Sequence, residues 1–220
     1  MEIVKIGVLS QKGGVGKSTL TRALAVEYAR NNWDVKIADM DLKQSTSTIW
    51  NRKRMNNGFE PKIAVEPFSS VKDVLKTEPA HELIIFDGAG QADLQTLEIA
   101  KVCDYIILPT GVTADDLEPQ VKLAHELKKK GISPERIGMC LSRVGSSKNE
   151  LEAAQEYIKA TGYAYLGMIV EKTSIGQCSD SGLAANETKY DSINAVVDDL
   201  IQNIYNRIQQ VSEKEEVRYG

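Results

Sequence analysis

The chain is poor in the residues from which redox and metal centres are built. Of its 220 residues only three are cysteines, Cys103, Cys140 and Cys178, and no two of them form a C-x-x-C pair. That spacing argues against an iron–sulfur or zinc centre held within one chain. The two histidines, His81 and His125, belong to no ligand pattern and are read as surface residues. No apolar run approaches the roughly 18 residues needed to span a bilayer. The start, "MEIVKIGVLS", has neither the basic beginning nor the long apolar centre of a signal peptide. These absences together predict a cytoplasmic protein. An excess of positive charge is also missing, since the net charge is −4 and the pI about 5.4. A constitutive nucleic-acid binder carries the opposite balance, so any DNA contact here has to use a local basic patch.

What is present is ordinary globular composition, 42% hydrophobic and 26% charged, with apolar runs and helical patterns in alternation. Strands are expected at residues 3–9, 34–41, 61–68, 82–90, 103–110 and 136–144. Several are short continuous apolar runs, as in strands buried on both faces of a parallel sheet. Leu20, Ala23, Leu24 and Tyr28 fall on one face of a first helix. Ile193, Val196, Val197, Leu200, Ile201, Ile204, Tyr205 and Ile208 form the apolar stripe of a last one. The alternation predicts an α/β fold, a doubly wound, mostly parallel sheet flanked by helices. A single domain is expected over 1–210, with 211–220 a polar, frayed tail.

The strongest local signal is "SQKGGVGKST", residues 10–19, between the first strand and the first helix. Gly13, Gly14 and Gly16 let backbone amides curl around phosphate oxygens, and the helix adds its positive end. Lys17 is placed to reach β- and γ-phosphates, Ser18 to hold Mg²⁺, and Thr19 to touch the α-phosphate. The backbone from Gln11 and Lys12 through Val15 completes the cradle. Gln11 stands where the usual G-x-x-x-x-G-K-[ST] loop has glycine, so this is a deviant form. Nucleotide hydrolysis also needs carboxylates near the metal and the attacking water. Asp39 and Asp41 end one apolar run and Asp87 another, where the carboxyl ends of strands face the ligand crevice. Asp87 and Asp39 are expected at Mg²⁺, with Asp41 beside them in the crevice.

The order K-G-G-x-G-K-[ST], then D-x-D, then a strand ending D-G-A-G, resembles the deviant-Walker ATPases of the ParA/MinD superfamily. The likeness spans the chain and is greatest to small ParA-type partition ATPases without an N-terminal helix-turn-helix domain. "DMDLKQS" departs from the family's D-x-D-P-Q, so Gln44 comes one position late. Ser142 stands where the family has an adenine-reading asparagine, leaving the planar guanidinium of Arg143 to stack on the base.

The resemblance implies a P-loop NTPase that binds ATP and Mg²⁺ and sandwiches two nucleotides between two subunits. It makes Lys12 the lysine that crosses to the partner's nucleotide, with Lys12, Lys17 and Asp41 carrying catalysis. It further implies that the ATP dimer binds DNA non-specifically at the nucleoid and segregates or positions a cargo, plasmid DNA first. A ParB-like centromere-binding protein or cargo adaptor would stimulate hydrolysis. Lys172, Lys189 and Arg207 are the candidate DNA-contacting cations. The acidic, mixed C-terminus lacks the basic amphipathic helix of a MinD-like membrane anchor. The alternative is an ATP-dependent small-molecule ligase or synthetase of the same fold, or positioning of a protein cargo.

Overall fold

The computed structural model describes residues 3–77, 80–90 and 94–219, with the backbone alone given for 215–219. Seven strands form one sheet: β1 (Val4–Val8), β2 (Val35–Asp39), β3 (Ala64–Pro67), β4 (Leu83–Asp87), β5 (Tyr105–Thr110), β6 (Ile137–Val144) and β7 (Ala164–Val170). Their order is β3-β2-β4-β1-β5-β6-β7, and every pairing is parallel. The sheet is thus wholly parallel rather than mostly so.

Helices cover both faces, as a parallel sheet requires. One face carries α1 (Lys17–Arg30), α2 (Thr46–Asn56), α7 (Thr173–Ser181) and α8 (Asp191–Tyr219). The other carries α3 (Val71–Leu75), α4 (Leu94–Val102), α5 (Ala114–Lys129) and α6 (Lys148–Ala160). The central strands β1, β2, β4 and β5 are the apolar runs, and their residues alternate between the two cores: Ile6, Ile85 and Ile107 in one, Ile84, Phe86 and Ile106 in the other.

One edge strand, β3, falls within the expected 61–68, and the other, β7, was not expected. β3 is largely exposed and ends on Pro67, which an edge strand tolerates because it needs no donor on its outer side. β7 is apolar apart from Gly167, which interrupts it at φ 134°. A Cβ at Gly167 would stand 3.2 Å from Leu200, so glycine here admits α8 against the sheet. Of the apolar stripe of α8, Val197, Leu200, Ile201, Ile204 and Ile208 are buried, Ile193 and Val196 are half-buried, and Tyr205 is exposed. The helix also runs on to Tyr219 and buries Val211, so the polar segment expected as a tail is helical as far as the description reaches. No helix among the described residues is long and apolar enough to cross a membrane.

Register positions the site. Val8 pairs with Asp87, and Asp87 pairs with Asp39, so three strand ends stand abreast. The phosphate loop leaves the first of them, and acids close the other two.

Candidate functional site

A cleft of about 220 Å³ opens at those strand ends. Gly13, Gly14, Gly16, Lys17, Ser18 and Thr19 line it from the loop and α1, Asp41, Gln44 and Thr46 from the turn after β2, and Gly88 and Gly90 from the turn after β4. Gly16 immediately precedes α1 at φ 88°, and a Cβ there would stand 2.2 Å from Ser142 Oγ. Only glycine fits that close left-handed turn. The first turn of α1 has no acidic residue and no side-chain cap, which leaves its amides turned to the cleft for an anion.

Lys17 is only 8% exposed, and its Nζ donates to the Lys12 carbonyl at 3.3 Å. Burial lowers its pKa, against the opposing pull of Asp87 and Asp41. Asp87 is wholly buried. Its Oδ2 accepts from Ser47 Oγ at 2.6 Å, while its Oδ1 has no hydrogen-bond partner. Burial raises its pKa, and the Ser47 and Ser18 hydroxyls and Arg22 pull it back. Ser18 Oγ also accepts from Thr46 Oγ1 at 2.9 Å. An orphaned carboxylate oxygen beside a serine hydroxyl is an all-oxygen donor set that suits a hard cation such as Mg²⁺.

Asp41 lines the cleft, its Oδ1 accepting the amides of Lys43 and Gln44 at 3.2 and 3.1 Å. Asp39 is close but differently used. Its Oδ2 accepts from both the amide and the hydroxyl of Thr48, at 3.0 and 2.9 Å, and its Oδ1 from the Asp41 amide at 3.3 Å. Through these bonds it braces the turn into α2.

The two loop residues before the glycines face away from the cleft. Gln11 donates through Nε2 to Glu126 and through its amide to Gln120, both on α5. Only its backbone is near the loop, so the side chain has no contact with the nucleotide cradle. Lys12 pairs with Asp116 in the first turn of α5. The pKa of Asp116 is raised by partial burial but, on balance, lowered by hydrogen bonds from Lys12 and Thr113. Val15 is buried, so it too contributes backbone alone.

Arg143 sits in an irregular stretch of β6 at φ 56°, with its guanidinium over Gly14. It lines the same cleft, beside the phosphate loop. The three candidate DNA-contacting cations do not converge. Lys172 is exposed after the carboxyl end of β7, and Lys189 lies over the Tyr190 ring at 5.2 Å. Arg207 lies against Tyr105 at the amino end of the sheet, with its Nε buried.

The pattern of motifs missed Arg22, Ser47, Thr46 and Gln120. Arg22 is buried, lines the cleft, and donates to Ser47 Oγ at 3.3 Å and to Ser179 Oγ on α7 at 2.8 Å. It follows Ser18 by four residues, so helical spacing alone puts both on one face. Gln120, wholly buried, donates to the carbonyl of Pro109 at 2.7 Å and to that of Leu9 at 3.4 Å, and so fixes the entrance to the loop.

Residues 6–185 match the family described as the CobQ/CobB/MinD/ParA nucleotide binding domain. The chain belongs to this family. Its sheet is the P-loop NTPase sheet of MinD and ParA. No curated protein matches the chain in sequence. Among solved structures it is similar to the cell division ATPase MinD of Pyrococcus furiosus, at 20% identity and TM-score 0.74, over 93% of this chain and 99% of that one. It is similar to MinD of Pyrococcus horikoshii complexed with Mg-ADP, at 20% identity and TM-score 0.73, over 92% and 96%. A putative plasmid partition protein of Borrelia burgdorferi bound to AMPPNP is 18% identical at TM-score 0.73, over 94% and 100%. At such identities the likeness is one of fold.

Proposed function

We propose that the protein is a ParA-type ATPase. In this reading it binds ATP and Mg²⁺, closes as an ATP-dependent homodimer, binds DNA non-specifically in that state and segregates or positions a cargo, plasmid DNA in the first instance. A ParB-like or cargo-adaptor partner stimulates hydrolysis. The observation that carries this reading is the meeting of Lys17, Ser18 and Asp41 at one cleft of a family nucleotide-binding domain, with Asp87 buried behind it. The Mg-ADP held by one fold relative and the AMPPNP held by another support the choice of ligand.

Each residue has a physical task. The loop amides and the end of α1 hold phosphate oxygens. Lys17, already desolvated, places its ammonium against the β- and γ-phosphates, where low dielectric strengthens the attraction. Ser18 and Asp87 Oδ1 would hold Mg²⁺, which neutralises charge on the phosphates when bound. Asp41 accepts a hydrogen bond from the attacking water and orients it. Lys12, released from Asp116, reaches the nucleotide of a second subunit. No single subunit gathers Lys172, Lys189 and Arg207 into one patch, so a DNA surface in this reading is assembled across two subunits in the ATP state.

The test is ATP turnover with Mg²⁺, alone and with duplex DNA. Asp41→Ala should slow hydrolysis at least ten-fold and accumulate an ATP dimer by light scattering. Non-specific duplex should shift on a gel with ATP and not with ADP, and less so as salt rises. A D41A protein that stays monomeric with ATP bound would remove the sandwich. Turnover that needs a small-molecule acid or amine instead of DNA would favour the ligase alternative.

A further inference from the structure

A second concave surface lies away from the nucleotide, between the carboxyl-terminal half of α1 and the exposed side of α8. It consists of two adjoining hollows that share Asp198. One, about 580 Å³, is walled by Tyr28, Trp33 and Tyr205 with Glu27, Asp198 and Asp199 among them. The other, about 530 Å³, is lined by Glu187, Asp191, Asn186 and Arg30.

The charge is one-sided. Arg30 is the only cation lining either hollow, and it is already paired with Glu187 at 3.1 Å and Glu27 at 3.5 Å. Asp191, Asp198 and Asp199 have no ion pair among the described residues. Asn186 is 2% exposed, and its Nδ2 donates to Asp198 Oδ1 at 3.1 Å and Glu27 Oε2 at 3.4 Å. That fixes the amide, and its Oδ1 is left with no donor. A buried acceptor without a partner is costly, and here it lies beside Asp198, which also lacks a cation. The aromatic side fits the same ligand. Tyr28 meets Trp33 edge to face at 5.3 Å and Tyr205 at 6.3 Å, with Tyr205 37% exposed. Ring faces beside carboxylates take guanidinium groups, by cation–π contact and by charge.

We propose that this α1–α8 groove is a docking site for a basic, arginine-bearing segment of a partner protein. One arginine stacks against Trp33 and Tyr205 and pairs with Asp198 or Asp199. Further along, another pairs with Asp191. The same acidic lining makes this side of α8 unfit for a nucleic-acid backbone, which the carboxylates repel.

The probe is a fluorescein-labelled nonapeptide of alternating arginine and glycine, with its lysine counterpart as comparison, in 50 mM salt without nucleotide. Leaving nucleotide out keeps the outcome independent of the ATPase reading. The expected result is saturable binding, weakened at least ten-fold in Asp198→Asn/Asp199→Asn. Glu152→Gln/Glu156→Gln, on the exposed side of α6, removes equal charge and should bind like the wild type. Trp33→Phe should weaken the arginine peptide several-fold and the lysine peptide little, with circular dichroism confirming that each variant is folded. Absence of binding, or equal weakening by the two charge-matched double variants, would overturn the proposal.

Discussion

Lys12 and Asp116 form an ion pair within one subunit, across 104 residues of sequence. The pair ties the phosphate loop to the first turn of α5 and holds Lys12 outside the cleft that Lys17 enters. Both partners keep some contact with solvent, Lys12 with 48% of its side chain exposed. An exposed pair of this kind contributes about 0.2–1 kcal/mol. That is small enough to be exchanged for a contact with a second nucleotide.

Asp116→Asn should therefore strengthen ATP-dependent dimerisation by about 1.4- to five-fold per subunit, the fold-change that corresponds to such energies. Sedimentation at several protein concentrations measures it. Lys12→Ala should abolish the dimer while sparing ADP binding to the monomer. A D116N protein that dimerises no better than wild type would separate this ion pair from assembly.

The loop makes a steric prediction. Gly16→Ala places a Cβ 2.2 Å from Ser142 Oγ at φ 88°. A non-glycine residue there costs about 1–3 kcal/mol before the clash is counted. Nucleotide affinity by calorimetry should fall more than ten-fold. Adding Ser142→Ala removes the clash but not the strained φ, so recovery should be partial. Full recovery would mean that the backbone conformation matters less than the contact.

A buried ion pair joins α2 to the segment before α8. Arg54 donates to Glu187 at 2.6 and 3.1 Å and to the carbonyls of Glu60, Pro61 and Gly182. Removing one member leaves a buried charge and several acceptors unmatched, at about 3–5 kcal/mol. Arg54→Met and Glu187→Ala should each lower the urea midpoint strongly, and the double variant by less than the sum. Strict additivity would show that the pair is not coupled.

Alkaline pH should destabilise the fold. Burial pushes the Cys140 thiol up to about 12 from 9.0. Between those values the unfolded thiol loses its proton and the folded one keeps it. The unfolded state then binds fewer protons, so stability falls as pH rises. The slope is about 1.4 kcal/mol per pH unit for one thiol. Tyr105, raised to about 12 by burial, adds to it in the upper part of the window. Cys140→Ala should start less stable yet show the shallower decline from pH 9 to 10.5 by urea titration.

Much of this protein was legible before any coordinates. The phosphate loop, its helix and the acids at Asp41 and Asp87 are contiguous signals, because each depends on a strand ending, a glycine turn or a helix beginning within about ten residues. Apolar runs located the central strands for the same local reason. β7 lies in an apolar run as well, but Gly167 splits it into two halves each too short to mark a strand.

The sequence by itself determined that a phosphate-binding loop stands beside acidic strand ends in a parallel sheet. Only the tertiary structure decided how the side chains are used. Asp39 and Asp41 are two residues apart, yet one braces a turn and the other faces the cleft, since Thr48 engages the first. Arg22 looked like one cation of a helix until folding brought it to Ser47 and to Ser179, 157 residues away. Spacing along the chain can place a residue on an element. Which partner neutralises a charge or satisfies a lone pair depends on distant segments packed against it, and burial makes that choice energetically binding.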